Sequence, residues 1–119
     1  MIGKQFGRTI HVPGSLAADL EITIGVPVDC RLARVSAVAS NNSDAELAIG
    51  VGNDADNIMA SATIGDSGTP VVFDPDDWAS TNPLGRLEQG DLLKLVVDYD
   101  GDGGTAADDL TLDLHFLDG

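Results

Sequence analysis

The chain has 119 residues, with 20 acidic side chains against 6 basic ones and a formal net charge of −14. That length accommodates one ordinary domain and not two, and a hydrophobic fraction of 43% is too high for a disordered chain. The field of so many carboxylates repels phosphate, which disfavours nucleic acid and anionic membrane surfaces as partners.

Hydrophobic side chains recur with period two rather than 3.6, the signature of half-buried strands. A short first strand is predicted at Thr9–Val12. Residues 20–26 place Leu20, Ile22, Ile24 and Val26 on one face, and 30–39 form a β-branched and small-residue run. Leu47, Ile49 and Val51 align in 45–51, and Ile58, Ala60, Ala62 and Ile64 in 57–64. A short strand is expected in 69–73 around Val71 and Phe73. Residues 91–99 align Leu93, Leu95, Val97 and Tyr99, and 109–117 align Leu110, Leu112, Leu114 and Phe116. Turn residues separate these runs, as at Pro13-Gly14, Asn41–Ser43, Gly65–Gly68 and Asp100–Gly104. The pattern predicts an all-β fold: a single antiparallel β-sandwich, jelly-roll-like, of seven to eight strands. Residues 1–14 read as an N-terminal arm and first strand, and 15–119 as the sandwich domain.

The acidity is of one kind and in one part. Seventeen of the acids are Asp and three are Glu, while Lys occurs twice. This composition fits a halophilic source, where salt screens self-repulsion, and then predicts loss of stability or assembly at low salt. A GC-rich genome would produce the same bias. Residues 1–40 carry Lys4, Arg8, Arg31 and Arg34 against three acids, and residues 41–119 carry Arg86 and Lys94 against seventeen. The first third is near neutral, which suggests one face that meets a partner and another that faces solvent.

Cys30 is the one cysteine, so no intrachain disulfide forms. The chain begins at Met1 without a basic-then-apolar leader, which predicts synthesis in the cytoplasm without signal-dependent secretion. No apolar run approaches the roughly 20 residues that cross a bilayer.

Three segments carry candidate chemistry. Gly65-Asp66-Ser67-Gly68-Thr69-Pro70 resembles the nucleophile signature of trypsin-like serine proteases. The chain is about half the length that fold needs, His11 has the wrong context, and a turn uses the same residues. Nothing else assembles a nucleophile, base and oxyanion hole, so an enzyme is not expected. In the second segment, Asp98, Asp100, Asp102 and Asp109 stand at positions 1, 3, 5 and 12 of a calcium loop, with Gly103 at position 6. Such spacing lets oxygens converge on a hard cation and the Gly permits the sharp turn. Strands rather than helices flank it, and the alternative is a solvated hairpin tip. With one Cys and two His, a zinc site is not expected. The third segment, 74–90, shows no strand and holds the sole tryptophan, Trp78, together with Arg86. Trp and Arg are enriched at interface hot spots, and the alternative for Trp78 is to cap the open end of the sandwich. Lys4, Arg8, Trp78 and Arg86 are therefore the candidate interface residues.

The layout as a whole resembles a known family. The stretch Cys-Arg-Leu-Ala-Arg-Val-Ser-Ala-Val (30–38), Leu-Ala-Ile-Gly-Val-Gly (47–52), the Asn82-Pro83 loop, Leu-Glu-Gln-Gly-Asp-Leu-Leu-Lys-Leu-Val-Val-Asp (87–98) and a closing alternating strand look like the small β-sandwich head proteins of tailed viruses. Those proteins decorate or cement the capsid, commonly as trimers. The resemblance implies a structural virion protein on the capsid surface, a homotrimer with the major capsid protein as partner and no active site. On the charge distribution, the near-neutral 1–14 segment, with Lys4, Arg8 and His11, is then expected to lie as an arm on a neighbouring subunit or the shell. The rival reading is a calcium-dependent carbohydrate-binding module, which normally carries more aromatic residues than the 4% here.

Overall fold

A computed structural model describes residues 5–54 and 56–118. It contains nine strands: β1 (Gln5–Ser15), β2 (Leu20–Gly25), β3 (Cys30–Val38), β4 (Glu46–Val51), β5 (Met59–Thr63), β6 (Val71–Phe73), β7 (Arg86–Leu87), β8 (Leu92–Asp98) and β9 (Asp108–Asp118). One 3-10 turn, Pro75–Asp77, lies between β6 and β7. Among the described residues, no helix is long and apolar enough to cross a membrane.

The strands form two antiparallel sheets. Sheet A runs β1-β9-β3-β6, with β7 also on β3; sheet B runs β2-β8-β4-β5. Consecutive strands mostly change sheet, and β4–β5 is the one pair of chain neighbours bonded to each other. This is a jelly-roll order, in keeping with the jelly-roll-like sandwich expected from the number of strands in so short a chain. The last two strands are central, β8 between β2 and β4 and β9 between β1 and β3.

The inward faces follow the alternation. Leu93, Leu95 and Val97 on β8 and Leu110, Leu112 and Leu114 on β9 are fully buried. Across the layers they join Leu32, Val35, Leu47, Ile49 and Ile58 in one core. Burial of a Leu side chain contributes about 1.5–3 kcal/mol, so these two strands alone supply much of the hydrophobic stabilisation.

Two elements differ from the expectation. The first strand is eleven residues long, not four, and pairs with β9 from Gln5↔Leu117 to Val12↔Leu110 and again at Ser15↔Asp108. Gly7, Arg8 and Pro13 interrupt its alternation, but β9 offers a free edge along its whole length and the ladder overrides the weak local pattern. The expected boundary between residues 14 and 15 therefore falls inside a strand. Residues 5–14 are sandwich, not a separable arm, and Phe6 stacks on Phe116 with ring centroids 4.9 Å apart. The second difference is β7, two residues within the stretch read as strandless; it exists because Cys30 and Arg31 pair with Leu87 and Arg86.

Leu112, central and fully buried, reports on this core. Leu112→Ala is expected to lower the unfolding free energy by about 2–5 kcal/mol, read by urea denaturation. A loss below about 1 kcal/mol would mean that the site collapses around the cavity.

Candidate functional site

The outer face of sheet A gathers three arginines, Arg31, Arg34 and Arg86. Inter-strand register places Arg31 beside Leu117 of β9 and Arg86 of β7, and Arg34 beside His115, which faces Gly7 of β1. The next rows hold Thr9, Asp113 and Ser36, then His11, Thr111 and Val38. Arg31 and Arg34 are three residues apart, a spacing that puts side chains on opposite faces of a regular strand. A register shift between Leu32 and Arg34 absorbs Ala33 as an extra residue. Both arginines therefore point outward, while Leu32 and Val35 are both fully buried.

All four arginines of the chain lie on sheet A. Arg8 is on the same side of β1 as Phe6 and Ile10 and reaches the open margin between the sheets. There it lines a small apolar hollow with Phe6, Ile24, Val26, Pro27 and Phe116. Among the described residues the one ion pair is Lys94–Glu21, 3.6 Å apart on sheet B. Among the described residues none of the four arginines has a carboxylate within salt-bridge distance, in a chain of 20 acids.

The aspartates are occupied elsewhere. Asp29 Oδ1 accepts from Gln89 N at 2.9 Å, Asp91 Oδ2 from Glu88 N at 2.9 Å, and Asp44 Oδ2 from Thr105 N at 2.8 Å. Asp74 and Asp77 cap the 3-10 turn reciprocally. Asp19 Oδ1 accepts from Tyr99 N. A short carboxylate on the chain it caps satisfies loop N–H groups that no ladder reaches, and Glu does so less well.

The candidate calcium loop is part of the same system. Its flanks are strands of different sheets, β8 in B and β9 in A, and packed sheets lie about 10 Å apart. It is a crossing arch, not a hairpin. Asp98 ends β8 opposite Glu46. Asp100 Oδ1 accepts from Asp102 N at 3.1 Å, and the N–H groups of Gly103 and Asp102 hold its carboxyl below the usual range. Asp102 is exposed. Asp109 turns to the other layer, accepting from Gly14 N at 2.8 Å and Ser40 Oγ at 3.0 Å; those bonds lower its pKa too. Among the described residues, no three His, Cys, Asp or Glu side chains are grouped to hold a metal ion. Asp98 and Asp100 lie side by side, but Asp109 is bound to Gly14 and Ser40 instead, so the four do not converge on one point.

The other candidates separate likewise. Trp78 is 6% exposed, and its Nε1 donates to the Leu32 carbonyl at 3.0 Å. It packs into the core beside Leu32 of β3 and presents no exposed anchor. Gly85, at φ +63°, makes this possible, because a Cβ there would lie 2.9 Å from Trp78 Nε1 and 2.7 Å from Leu32 O. Arg86 is exposed as expected and joins Arg31, a neighbour that spacing alone could not reveal. Lys4 lies outside the described residues. Ser67 and Gly68 both have positive φ, +52° and +81°, between the bridged pair Asp66↔Thr69, the geometry of a tight I′ turn. His11 and His115 are on the outer face of sheet A. Cys30 is buried, and its thiol pKa is raised by desolvation and then by the charges of Asp118 and Asp29, so it stays protonated.

Two outcomes follow. Trp78→Phe removes the donor to a buried carbonyl and is expected to cost about 1–3 kcal/mol in chemical denaturation; an unchanged midpoint would mean that the indole bond is dispensable. Asp100 and Asp109 ionise below the ordinary value of 3.8 when folded. Their contribution is therefore present above that pH and lost as pH falls through the lower folded values. Asp109→Asn should be less stable than the native chain at neutral pH, with the two converging under acid. Parallel thermal-melt curves at every pH would contradict this.

In comparisons with family models, with curated proteins and with solved structures, nothing matches this chain.

Proposed function

We propose that this chain is a structural virion protein that decorates or stabilises a capsid surface as a trimer, with the major capsid protein as partner and the outer face of sheet A as the docking side. The observation that carries this reading is the segregation of charge. Every arginine is on sheet A and none is paired within the described chain, although the molecule as a whole is strongly anionic. Leaving arginines unpaired among so many carboxylates is wasteful unless another molecule supplies the acid, and Arg forks bind carboxylates with two parallel bonds. Half-buried Val38 and Leu117 lie among them, a composition suited to an interface rather than a solvated face.

The docking side thus differs from the arm expected at 1–14. The proposed side is a sheet face assembled from β1, β3, β7 and β9. The carbohydrate-binding alternative needs an aromatic platform and a cation site. Phe73, Trp78 and Phe116 are buried, Phe6 and Tyr99 half-buried, and the four aspartates are divided between layers, so no observation favours it.

The test is co-sedimentation with shells of the major capsid protein from the same genome. The native protein is expected to pellet with them, and Arg31→Glu/Arg34→Glu/Arg86→Glu to remain in solution while keeping its β-rich circular dichroism. Full attachment of the triple variant would refute the face, and no attachment of the native protein would refute the reading.

A further inference from the structure

Sheet A ends in two free edges that differ in chemistry. At the β1 edge, Arg8 stands at the mouth of the hollow formed with Phe6, Ile24, Val26 and Phe116, about 60 Å³ in volume. Sites for small organic ligands are about 300–1,000 Å³, so this one suits a single aliphatic side chain. Its cation has no carboxylate partner among the described residues. At the opposite edge, β6 is three residues long and leaves Val71 and Val72 38% and 43% exposed. Directly after it come Asp74, Asp76 and Asp77, all exposed. The reciprocal capping of the 3-10 turn holds this acidic segment in one shape.

One edge therefore offers an apolar hollow beside an unpaired cation, and the other offers aliphatic side chains beside three carboxylates. We propose that the β6 edge of one copy packs against the β1 edge of a second copy, Val71 entering the hollow with Val72 flanking it at the rim, and the Asp74–Asp77 carboxylates facing Arg8. The two patches are on opposite edges of one sheet, so the contact is heterologous, of the kind that closes into a ring when the rotation permits. This identifies the surface behind the proposed trimer and rests on that reading. It leaves Arg31, Arg34 and Arg86 on the outer face free for the shell. Pro13 and the inward-facing Arg8 also guard the β1 edge against indiscriminate strand pairing, so the selectivity falls to side chains rather than to backbone ladders.

Sedimentation equilibrium of the full chain tests the proposal. The native protein is expected at three times its 12.3 kDa monomer mass. Arg8→Glu and Val72→Asp, both at exposed positions, should each sediment as single chains with unchanged circular dichroism and melting temperature. An equimolar mixture of the two should form a two-chain species, because each retains the edge that the other has lost. A single-chain native mass at the highest soluble concentration, variants that keep the native mass, or a mixture that stays monomeric would each overturn it. Shell co-sedimentation of monomeric Arg8→Glu is a separate readout: attachment through the arginine face survives failure of the edge contact, and its loss in Arg31→Glu/Arg34→Glu/Arg86→Glu does not depend on oligomer mass.

Discussion

The structure depends on the alternation of β8 and β9. These two strands are central in their respective sheets, and their inward side chains face each other across the sandwich as a dry layer of Leu and Val. Each holds a neighbour on both sides, β2 and β4 for one, β1 and β3 for the other. A shift of either strand by one residue would turn the whole leucine set to water, so the register of seven other strands is tied to these two. The molecule is 44 Å in its longest dimension, just beyond the roughly 36 Å of an eleven-residue strand, so β1 and β9 set its length.

The jelly-roll order imposes a second requirement. When nearly every connection crosses between layers, the chain leaves one ladder before it enters another, and the N–H groups of each crossing need acceptors. Aspartate meets that need. It caps the crossings at Gln89, Thr105, Gly14 and Tyr99 and the turn after β6. The excess of Asp over Glu thus has a structural cause as well as any environmental one. Because these carboxylates are held by loop backbones, they are not placed beside the arginines, and Arg31, Arg34 and Arg86 share an outer sheet face on which Asp113 is held by Thr9.

The strands and their faces were legible in the sequence because period-two alternation reports burial directly. This worked best for 91–99 and 109–117, whose inward positions are nearly all Leu or Val. It worked least well for β1, where Gly7 and Arg8 break the alternation and pairing with β9 is the deciding term, and for β7, whose two residues have no period to detect. The calcium spacing failed for a topological reason: positions 98 and 109 are twelve residues apart inclusively but belong to different sheets. Trp78 failed as an interface anchor because the strand it is buried against, at Leu32, lies 46 residues away along the chain.

By itself, then, the sequence determined the all-β class, the inward face of the main strands, the shortage of basic groups and the single buried thiol. These follow from local composition and periodicity, which act residue by residue. Only the tertiary structure decided which loops were arches rather than hairpins, which face gathered the arginines and which edges remained free. Arg86 reaches Arg31 through a two-residue pairing, and Arg34 turns outward because Ala33 is absorbed in a bulge. Such placements depend on strand order and register, which are set by the sum of long-range contacts and leave no periodic trace along the chain.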